Sequence, residues 1–169
     1  MSLSISFVSA SRRIALLAAL ISLMSGCATM SGPVSVADTI ATDPNLSTLN
    51  GLVQSAGLTE TLKGTGPFTV FAPTNEAFRA VSAKTLESLG KDPVALKGVL
   101  TYHVLATQIL AVDVKNSKIK TVNGAELELN KAGDFVTVGE SGIVTKANVT
   151  ASNGVVHVID AVLLPPVKK

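Results

Sequence analysis

A single cysteine, Cys27, restricts what this chain can fold into more than any other feature of the sequence. One cysteine cannot form an intramolecular disulfide, and it cannot supply the several thiolates of a metal cluster. The fold must therefore be held together by buried apolar side chains, and hydrophobic residues make up 47% of the 169 residues. Charged residues amount to only 15%. This composition is typical of a folded chain and excludes a highly charged, disordered one.

The residues before Cys27 have the pattern of an export signal. Arg12 and Arg13 precede an apolar run at 14–23, which is too short to cross a bilayer as a helix and fits the core of a signal peptide. The sequence Leu-Met-Ser-Gly before Cys27 resembles the lipobox of bacterial lipoprotein precursors. That resemblance implies that residues 1–26 are a lipoprotein signal peptide and that Cys27 carries lipid at the new N-terminus. Ordinary cleavage nearby, with a free thiol left over, is the alternative.

The same resemblance implies a location. Several acyl chains on Cys27 would make membrane attachment practically permanent. Ala28 stands where an Asp would hold a Gram-negative lipoprotein at the inner membrane. We therefore expect an exported protein that is lipid-anchored to the cell envelope. If the cell is Gram-negative, we expect it at the outer membrane, on the periplasmic side or at the cell surface. Residues 27–35 would then be the lipidated cysteine and a short tether, because they are mostly small and polar and are interrupted by Gly-Pro.

Charge excludes one class of partner. Removal of Arg12 and Arg13 with the leader leaves 12 basic residues, which balance the 12 acidic ones. A nucleic-acid-binding domain needs a basic surface that neutralises phosphates. We therefore expect no nucleic-acid partner, and we expect the basic tail at 167–169 to be a solvated end.

Residues 36–166 are predicted to form one domain whose first half is helical. Apolar residues recur at helical spacing from 46 to 56, and Gly57 is expected to end that helix. Ser82 is expected to cap a further helix that ends at Gly90. Asp92, followed by proline, is expected to begin another.

The second half of the domain has the two-residue alternation of strands. Asn123-Gly124 separates two such segments, 117–122 and 125–130, and is the strongest hairpin signal in the chain. Further strands are expected at 68–72, 135–139, 143–146 and 155–159. Helices followed by strands predict an α+β fold in place of a βαβ repeat.

The sequence contains no arrangement typical of an enzyme. The Gly-x-Ser-x-Gly, Walker and His-x-x-x-His patterns are missing. The two histidines are His103 and His157, and the nearest carboxylate, Asp160, lies three residues after His157, on the opposite face of a strand. We therefore expect no catalytic residues, no metal site and no cofactor.

Three segments resemble, in their order and spacing, the two signature boxes and the intervening Tyr-His motif of the fasciclin domain. They are 66–78 (GPFTVFAPTNEAF), 100–105 (LTYHVL) and 153–165 (NGVVHVIDAVLLP). The resemblance covers about residues 36–166. It implies a wedge of two packed β-sheets with a helical layer, in a secreted or surface-attached protein that acts in cell adhesion or protein–protein interaction.

The box residues are expected to serve the architecture of the domain. The structural signature residues are Thr74, Asn75, His157 and Asp160. Thr74 or Asn75 can cap a helix. Asn153-Gly154 is expected to provide a turn with positive φ at the glycine.

Tyr102 and His103 allow two interpretations. The Tyr-His segment is linked to integrin binding in some animal members of the family, so the resemblance makes both residues candidate contacts. We favour the other interpretation, a buried histidine bonded to backbone or to the tyrosine. A second integrin element of the family, an Asp-Ile pair, aligns with Asn148-Val149. An amide cannot replace the carboxylate that an integrin cation site requires, which argues against integrin binding through this element.

The segment expected to contact a partner is 106–120. It combines aliphatic side chains with a polar rim, which suits an interface with an apolar centre. The candidate contacts there are Ile109, Leu110, Asp113, Lys115, Lys118 and Lys120. A packed satellite core beneath a loop is the alternative. The expected partner is an unidentified surface or matrix protein, and the alternative function is carriage or sensing of a lipophilic small molecule in the envelope.

Overall fold

The computed structural model describes residues 34–166. The predicted leader, the lipidation site Cys27, most of the tether and the tail at 167–169 lie outside the described residues. No helix in the described part is long and apolar enough to cross a membrane.

Helices dominate the N-terminal half of the described chain, and strands dominate the rest. The α-helices are α1 (Val36–Thr42), α2 (Ser47–Ser55), α3 (Thr59–Lys63), α4 (Asn75–Ala80), α5 (Ala83–Lys91) and α6 (Pro93–Tyr102). The strands are β1 (Phe68–Pro73), β2 (Val104–Leu105), β3 (Ser117–Lys120), β4 (Glu126–Ala132), β5 (Phe135–Val138), β6 (Gly142–Ala151) and β7 (Gly154–Ile159). This arrangement confirms the predicted α+β fold.

The strands follow the spatial order β2-β1-β7-β6-β5-β4-β3. The neighbours β1 and β7 are parallel, and the other neighbours are antiparallel. The 10-residue strand β6 pairs with β5 at its beginning and with β7 along the rest. One strand therefore belongs to both halves of the sheet and joins them.

Alternation along β1 and β7 divides the apolar core into two parts. Val70 and Val156 belong to a cluster with the leucines of the helices. Phe71 and Ile159 belong to a second cluster, with Leu127 and other residues of β4 and β5. Because successive strand residues point to opposite faces, the helices cover one face of these strands and the β3–β5 half of the sheet covers the other. The expected two packed sheets and helical layer correspond to these three layers.

Local signals placed most element ends correctly. Thr74, Ser82 and Asp92 cap α4, α5 and α6, because each side chain accepts a hydrogen bond from a backbone N–H of the first turn. The predicted end at Gly90 is one residue short, since α5 continues to Lys91. The two-residue strand β2 was not predicted, and β6 extends well past the predicted 146.

The expectation of a positive φ at Gly154 is wrong. The glycines with positive φ are at 57, 124, 133 and 139. Gly154 instead begins β7 directly beside Phe68, and a Cβ there would lie 2.1 Å from the Phe68 carbonyl oxygen. A Cβ at Gly66 would lie 2.0 Å from the Asn153 carbonyl oxygen. Both glycines are needed because two backbones approach closely at the start of the parallel pair.

The substitution Gly154→Ala should therefore destabilise the domain by about 3 kcal/mol or more, since the added methyl group meets backbone that cannot move aside. Gly51→Ala is the matched control, because a Cβ at this position in α2 meets nothing within 4 Å. It should raise the free energy of unfolding by about 0.5–1 kcal/mol through better helix propensity. Urea unfolding measures both changes, and equal stability of the two variants would contradict the proposed close approach.

Candidate interaction surface

Tyr102 and His103 lie inside the fold, at the end of α6. Their exposed fractions are 7% and 2%. The Tyr102 hydroxyl donates to the Glu126 carbonyl oxygen over 3.1 Å. Burial raises the pKa of this phenol, and the nearby Glu140 carboxylate raises it further. The two side chains are not available on the surface, so they are withdrawn from the candidate contacts.

His103 joins α6 to the C-terminal segment. Its Nδ1 lies 2.8 Å from the Val99 carbonyl oxygen, and its Nε2 accepts the Leu163 N–H over 3.0 Å. A ring nitrogen that accepts from a backbone N–H carries no proton, so the imidazole is neutral and Nδ1 is the donor. Burial lowers the pKa of His103 to about 4, although the hydrogen bond to Val99 opposes this effect.

Two of the structural signature residues, Asn75 and Asp160, join separate elements. The Asn75 Oδ1 accepts the Thr48 N–H over 2.9 Å, and its Nδ2 donates to the Pro44 carbonyl oxygen, so α4 holds the start of α2. Asp160 accepts the Ile143 N–H over 2.7 Å and so holds the beginning of β6. Both contacts hold neighbouring elements of the fold together.

Sequence reasoning missed the main role of Asn153. Its Oδ1 accepts the Val36 N–H at the start of α1, and its Nδ2 donates to the Leu62 and Gly64 carbonyl oxygens at the end of α3, each over 2.8 Å. One amide thus satisfies backbone groups at two helix ends. The Asn-Gly pair indicated only a turn, because these partners lie about 90 to 120 residues away along the chain.

The segment between β2 and β3, residues 106–116, forms what we call the contact loop. The buried Thr69 holds it from β1, because its Oγ1 accepts the Ile109 N–H over 2.9 Å and donates to the Thr107 carbonyl oxygen over 2.6 Å. From β7, the His157 Nε2 lies 2.8 Å from the Ile109 carbonyl oxygen. From β6, the Asn148 Oδ1 accepts the Ala111 N–H over 2.9 Å.

The far end of the contact loop is held by β4. The Lys131 Nζ donates to the Val112 carbonyl oxygen over 3.0 Å, and the Lys131 N–H donates to the Asn116 Oδ1 over 2.8 Å. The loop therefore has an irregular backbone that is bonded to four strands. A loop fixed in this way loses little conformational freedom when it binds a partner.

The two interpretations of the 106–120 segment each describe part of it. Ile109 packs against the second core cluster and Val114 is buried in it, as expected for a packed satellite under a loop. Leu110 is half-buried, whereas Asp113 and Lys115 are exposed. Val112 is 69% exposed. The surface thus presents one large aliphatic side chain beside charged ones, and Ile109 serves the core.

Lys118 and Lys120 lie on β3, the edge strand of the sheet. They are exposed and stand directly opposite Glu128 and Glu126 of β4. Opposite charges across two strands attract, so the rim is of mixed charge and not basic. Lysines on an edge strand also oppose pairing with a foreign strand.

Two cavities are relevant to a small-molecule ligand. Among the helices, a mostly apolar cavity of about 20 Å³ is lined by Leu49, Phe78, Leu100 and neighbouring side chains. This volume is far below the several hundred Å³ of ligand pockets. An open groove of about 800 Å³ runs between the C-terminal segment 162–166 and the β3–β4 hairpin. Its walls carry carboxylates as well as aliphatic groups. Within residues 34–166, no three His, Cys, Asp or Glu side chains are placed to hold a metal ion.

Comparison with known proteins gives consistent similarities. A family model described as the Fasciclin domain matches residues 44–165. The chain is 42% identical over 137 residues to the protein sll1483 of Synechocystis sp., covering 79% of this chain and 74% of that protein. It is 38% identical over 148 residues to the cell surface glycolipoprotein MPB83 of Mycobacterium bovis, covering 80% and 66% respectively.

Two further similarities cover only part of the other protein. The chain is 36% identical over 127 residues to transforming growth factor-beta-induced protein ig-h3 of Sus scrofa, which is 75% of this chain but 19% of ig-h3. Among solved structures, the FAS1 domain pair of the insect cell adhesion molecule Fasciclin I has a TM-score of 0.61 and 17% identity, over 80% of this chain and 51% of the other. At that identity the likeness concerns the fold alone.

The neutral state of His103 predicts that acid destabilises the domain. The unfolded chain binds a proton near pH 6.5, whereas folded His103 binds one only near pH 4, so stability falls as the pH is lowered through that window. At about 1.4 kcal/mol for each pH unit, His103 should account for a loss of about 3 kcal/mol. His103→Gln keeps a donor and an acceptor but cannot titrate. Urea unfolding at several pH values should give a flatter profile for this variant, and an unchanged slope would contradict the assignment.

Proposed function

The chain belongs to the fasciclin domain family, and from this membership we propose that it is a lipid-anchored envelope protein that uses its single fasciclin domain to adhere to a surface or matrix protein. The observation that carries the proposal is the contact loop. It is exposed at Val112, Asp113 and Lys115, and it is fixed by hydrogen bonds to four strands. A preformed surface of this kind suits protein recognition, because little conformational freedom is lost on binding.

Two observations support the envelope location. The leader before Cys27 has the pattern of a lipoprotein precursor. The relative MPB83, which is 38% identical, is by its name a cell surface glycolipoprotein. We propose that Cys27 carries the lipid, and that Ala28 directs the protein to the outer membrane where the cell has one.

Neither an enzyme nor a lipophilic carrier is proposed. His103 and His157 both spend their ring nitrogens on backbone groups inside the fold, so neither is free to act as a general base. The cavity among the helices, at about 20 Å³, offers no room for a lipophilic molecule. The groove of about 800 Å³ is open, and its walls carry charged side chains such as Glu126 and Glu128, which do not suit an apolar ligand. Integrin binding is also not proposed, since the Asn148 amide supports the contact loop through Ala111.

The contact loop and the adjoining edge strand β3, which we together call the contact surface, carry three exposed lysines that provide a first test. Neutralising Lys115, Lys118 and Lys120 together as glutamine should weaken attachment of cells that carry the full-length chain and should alter its salt dependence. Glutamine is preferable to charge reversal, because a glutamate at 118 or 120 would face Glu128 or Glu126 across the strands. Loss of these two cross-strand pairs should change the free energy of unfolding by no more than about 2 kcal/mol.

A matched triple variant separates the contact surface from general charge effects. Lys84, Lys91 and Lys97 are also exposed and lie on α5 and α6. Their replacement by glutamine changes net charge by the same amount and should leave attachment unchanged. Equal loss of attachment in both triple variants, or none in either, would show that the contact surface lies elsewhere.

The anchor has a separate test. Cys27→Ala should abolish lipid modification and leave an uncleaved precursor or a mislocalised protein, because the modified thiol is the required feature of the lipobox. Metabolic labelling with a fatty acid, followed by membrane fractionation, measures both effects. A Cys27→Ala variant that matures and fractionates with the membrane like the wild type would refute lipid anchoring, while the structure of residues 34–166 would be unaffected.

A further inference from the structure

The strand β6 is irregular where it passes His157. Its register with β7 shifts between Val144 and Lys146 and again between Lys146 and Val149. At Asn148 the backbone has φ of 57°, the left-handed region that asparagine tolerates better than most residues. We call residues 146–149 the β6 bulge. Bulges bend a strand and redirect a side chain, and here the redirected side chain reaches Ala111 of the contact loop.

The imidazole of His157 lies between the β6 bulge and the contact loop. Its Nδ1 accepts the Asn148 N–H over 3.2 Å, and its Nε2 lies 2.8 Å from the Ile109 carbonyl oxygen. The ring is 2% exposed and stacks on Phe71, with centroids 5.6 Å apart. One residue of β7 thus holds both of these surface segments.

The two hydrogen bonds fix the tautomer of the neutral imidazole. Because Nδ1 accepts a backbone N–H, it must be unprotonated, and Nε2 must carry the proton that it donates to Ile109. A second proton could attach only to Nδ1, where it would face the Asn148 N–H as a donor against a donor. The hydrogen bond to Ile109 would survive, whereas the one to Asn148 would be lost.

Burial determines how readily the second proton binds. It lowers the pKa of His157, and the hydrogen bond to Ile109 opposes this effect. Neither β1 nor β7 contains a charged residue. The charged groups of the other elements that pack against the ring are Lys146 on β6 and Asp113 and Lys115 on the contact loop, and all three are exposed. Protonation is therefore resisted mainly by desolvation, and it becomes favourable as the pH falls below the ordinary imidazole range near 6.5.

We propose that His157 is a proton-sensitive latch, which holds the β6 bulge and the contact loop in the binding geometry when neutral. When protonated it releases the bulge and, through Asn148, the part of the loop around Ala111, while its bond to Ile109 persists. This inference rests on the proposed function, because it makes the contact loop and the β6 bulge one composite contact surface. When the bond from the Asn148 backbone N–H to His157 is lost, the β6 bulge can move. The Asn148 side chain then no longer holds the Ala111 N–H. The Thr69 bonds to Thr107 and Ile109 do not involve His157, and neither do the Lys131 bonds at the far end of the loop, so the release is confined to the part of the loop around Ala111.

The latch can be tested without any partner. In the full-length chain with ¹⁵N-labelled histidine, NMR at pH 7.5 should show His157 protonated at Nε2 alone. Between pH 7 and pH 4.5, after correction for intrinsic rates, exchange of the Ala111 and Asn148 amides should accelerate at least tenfold, while amides of β1 and β7 keep their protection. A proton on Nδ1 at pH 7.5 would overturn the proposal. So would loop amides that open only together with the strands.

Two variants separate the latch from general acid sensitivity. Asn148→Gly keeps the positive φ but removes the Oδ1 that holds Ala111, so protection of the Ala111 amide, after correction for intrinsic exchange rates, should be low and nearly independent of pH. His103→Gln removes the other buried histidine and should leave the acid response of the loop in place. Loss of that response in His103→Gln, or retention of wild-type protection of Ala111 in Asn148→Gly, would contradict the latch.

The proposed function can fail independently of the latch. If the amides respond to acid as described but the lysine-to-glutamine triple variant attaches like the wild type, the latch stands and the contact surface is wrong. If attachment depends on the lysines but the amides do not respond, the contact surface stands and the latch is wrong.

Discussion

The parallel pairing of β1 with β7 is the interaction on which the rest of this structure depends. The two strands come from opposite halves of the domain, and Phe68 stands beside Gly154 at their beginning. Their backbones approach so closely there that only glycine fits at 66 and 154. Because both faces of the pair are covered, alternate residues feed both apolar clusters. Parallel strands are commonly buried on both faces, and here the two layers are unlike, with helices on one side and strands on the other.

The polar residues of the two boxes bond to the segments that surround this parallel strand pair. A buried strand pair leaves helix ends and irregular segments nearby, and their backbone groups need partners. Asn75 supplies a partner to α2, and Asp160 supplies one to β6. Asn153 supplies partners to both α1 and α3. Among the described residues, no buried side-chain nitrogen or oxygen lacks a partner. The boxes are thus occupied by structural contacts, and we therefore propose the contact loop, which lies outside them, as the recognition segment.

Local chemistry made part of this predictable from the sequence. The caps at Thr74, Ser82 and Asp92 depend on side chains that bond to backbone groups a few residues away. The hairpin signal at Asn123-Gly124 is also local. The loop is longer than a two-residue turn, because β3 ends at Lys120 and β4 begins at Glu126. The α+β fold class could be predicted because the spacing of apolar residues changes from helical in the first half of the domain to alternating in the second.

The remaining features depend on distant contacts, which a single sequence does not display. The need for glycine at 154 arises from a backbone 86 residues earlier in the chain. The burial of Tyr102 and His103 depends on Glu126 and Leu163, and the pairing of Lys118 with Glu128 depends on strand register. The sequence Asn148-Val149 shows that a carboxylate is missing, but it does not show that the Asn148 amide supports the contact loop. Site residues were therefore harder to place than the fold.

The central claim is that recognition uses the contact loop and not the helical face of the domain. The most direct measurement is site-specific photo-crosslinking on cells that carry the full-length chain, with a photoreactive residue at Val112 or at Val94. Both valines are strongly exposed, at 69% and 81%, and Val94 lies on α6. The account predicts that attached cells give cross-linked adducts from position 112 and none above background from 94. Adducts from 94 with none from 112 would contradict it.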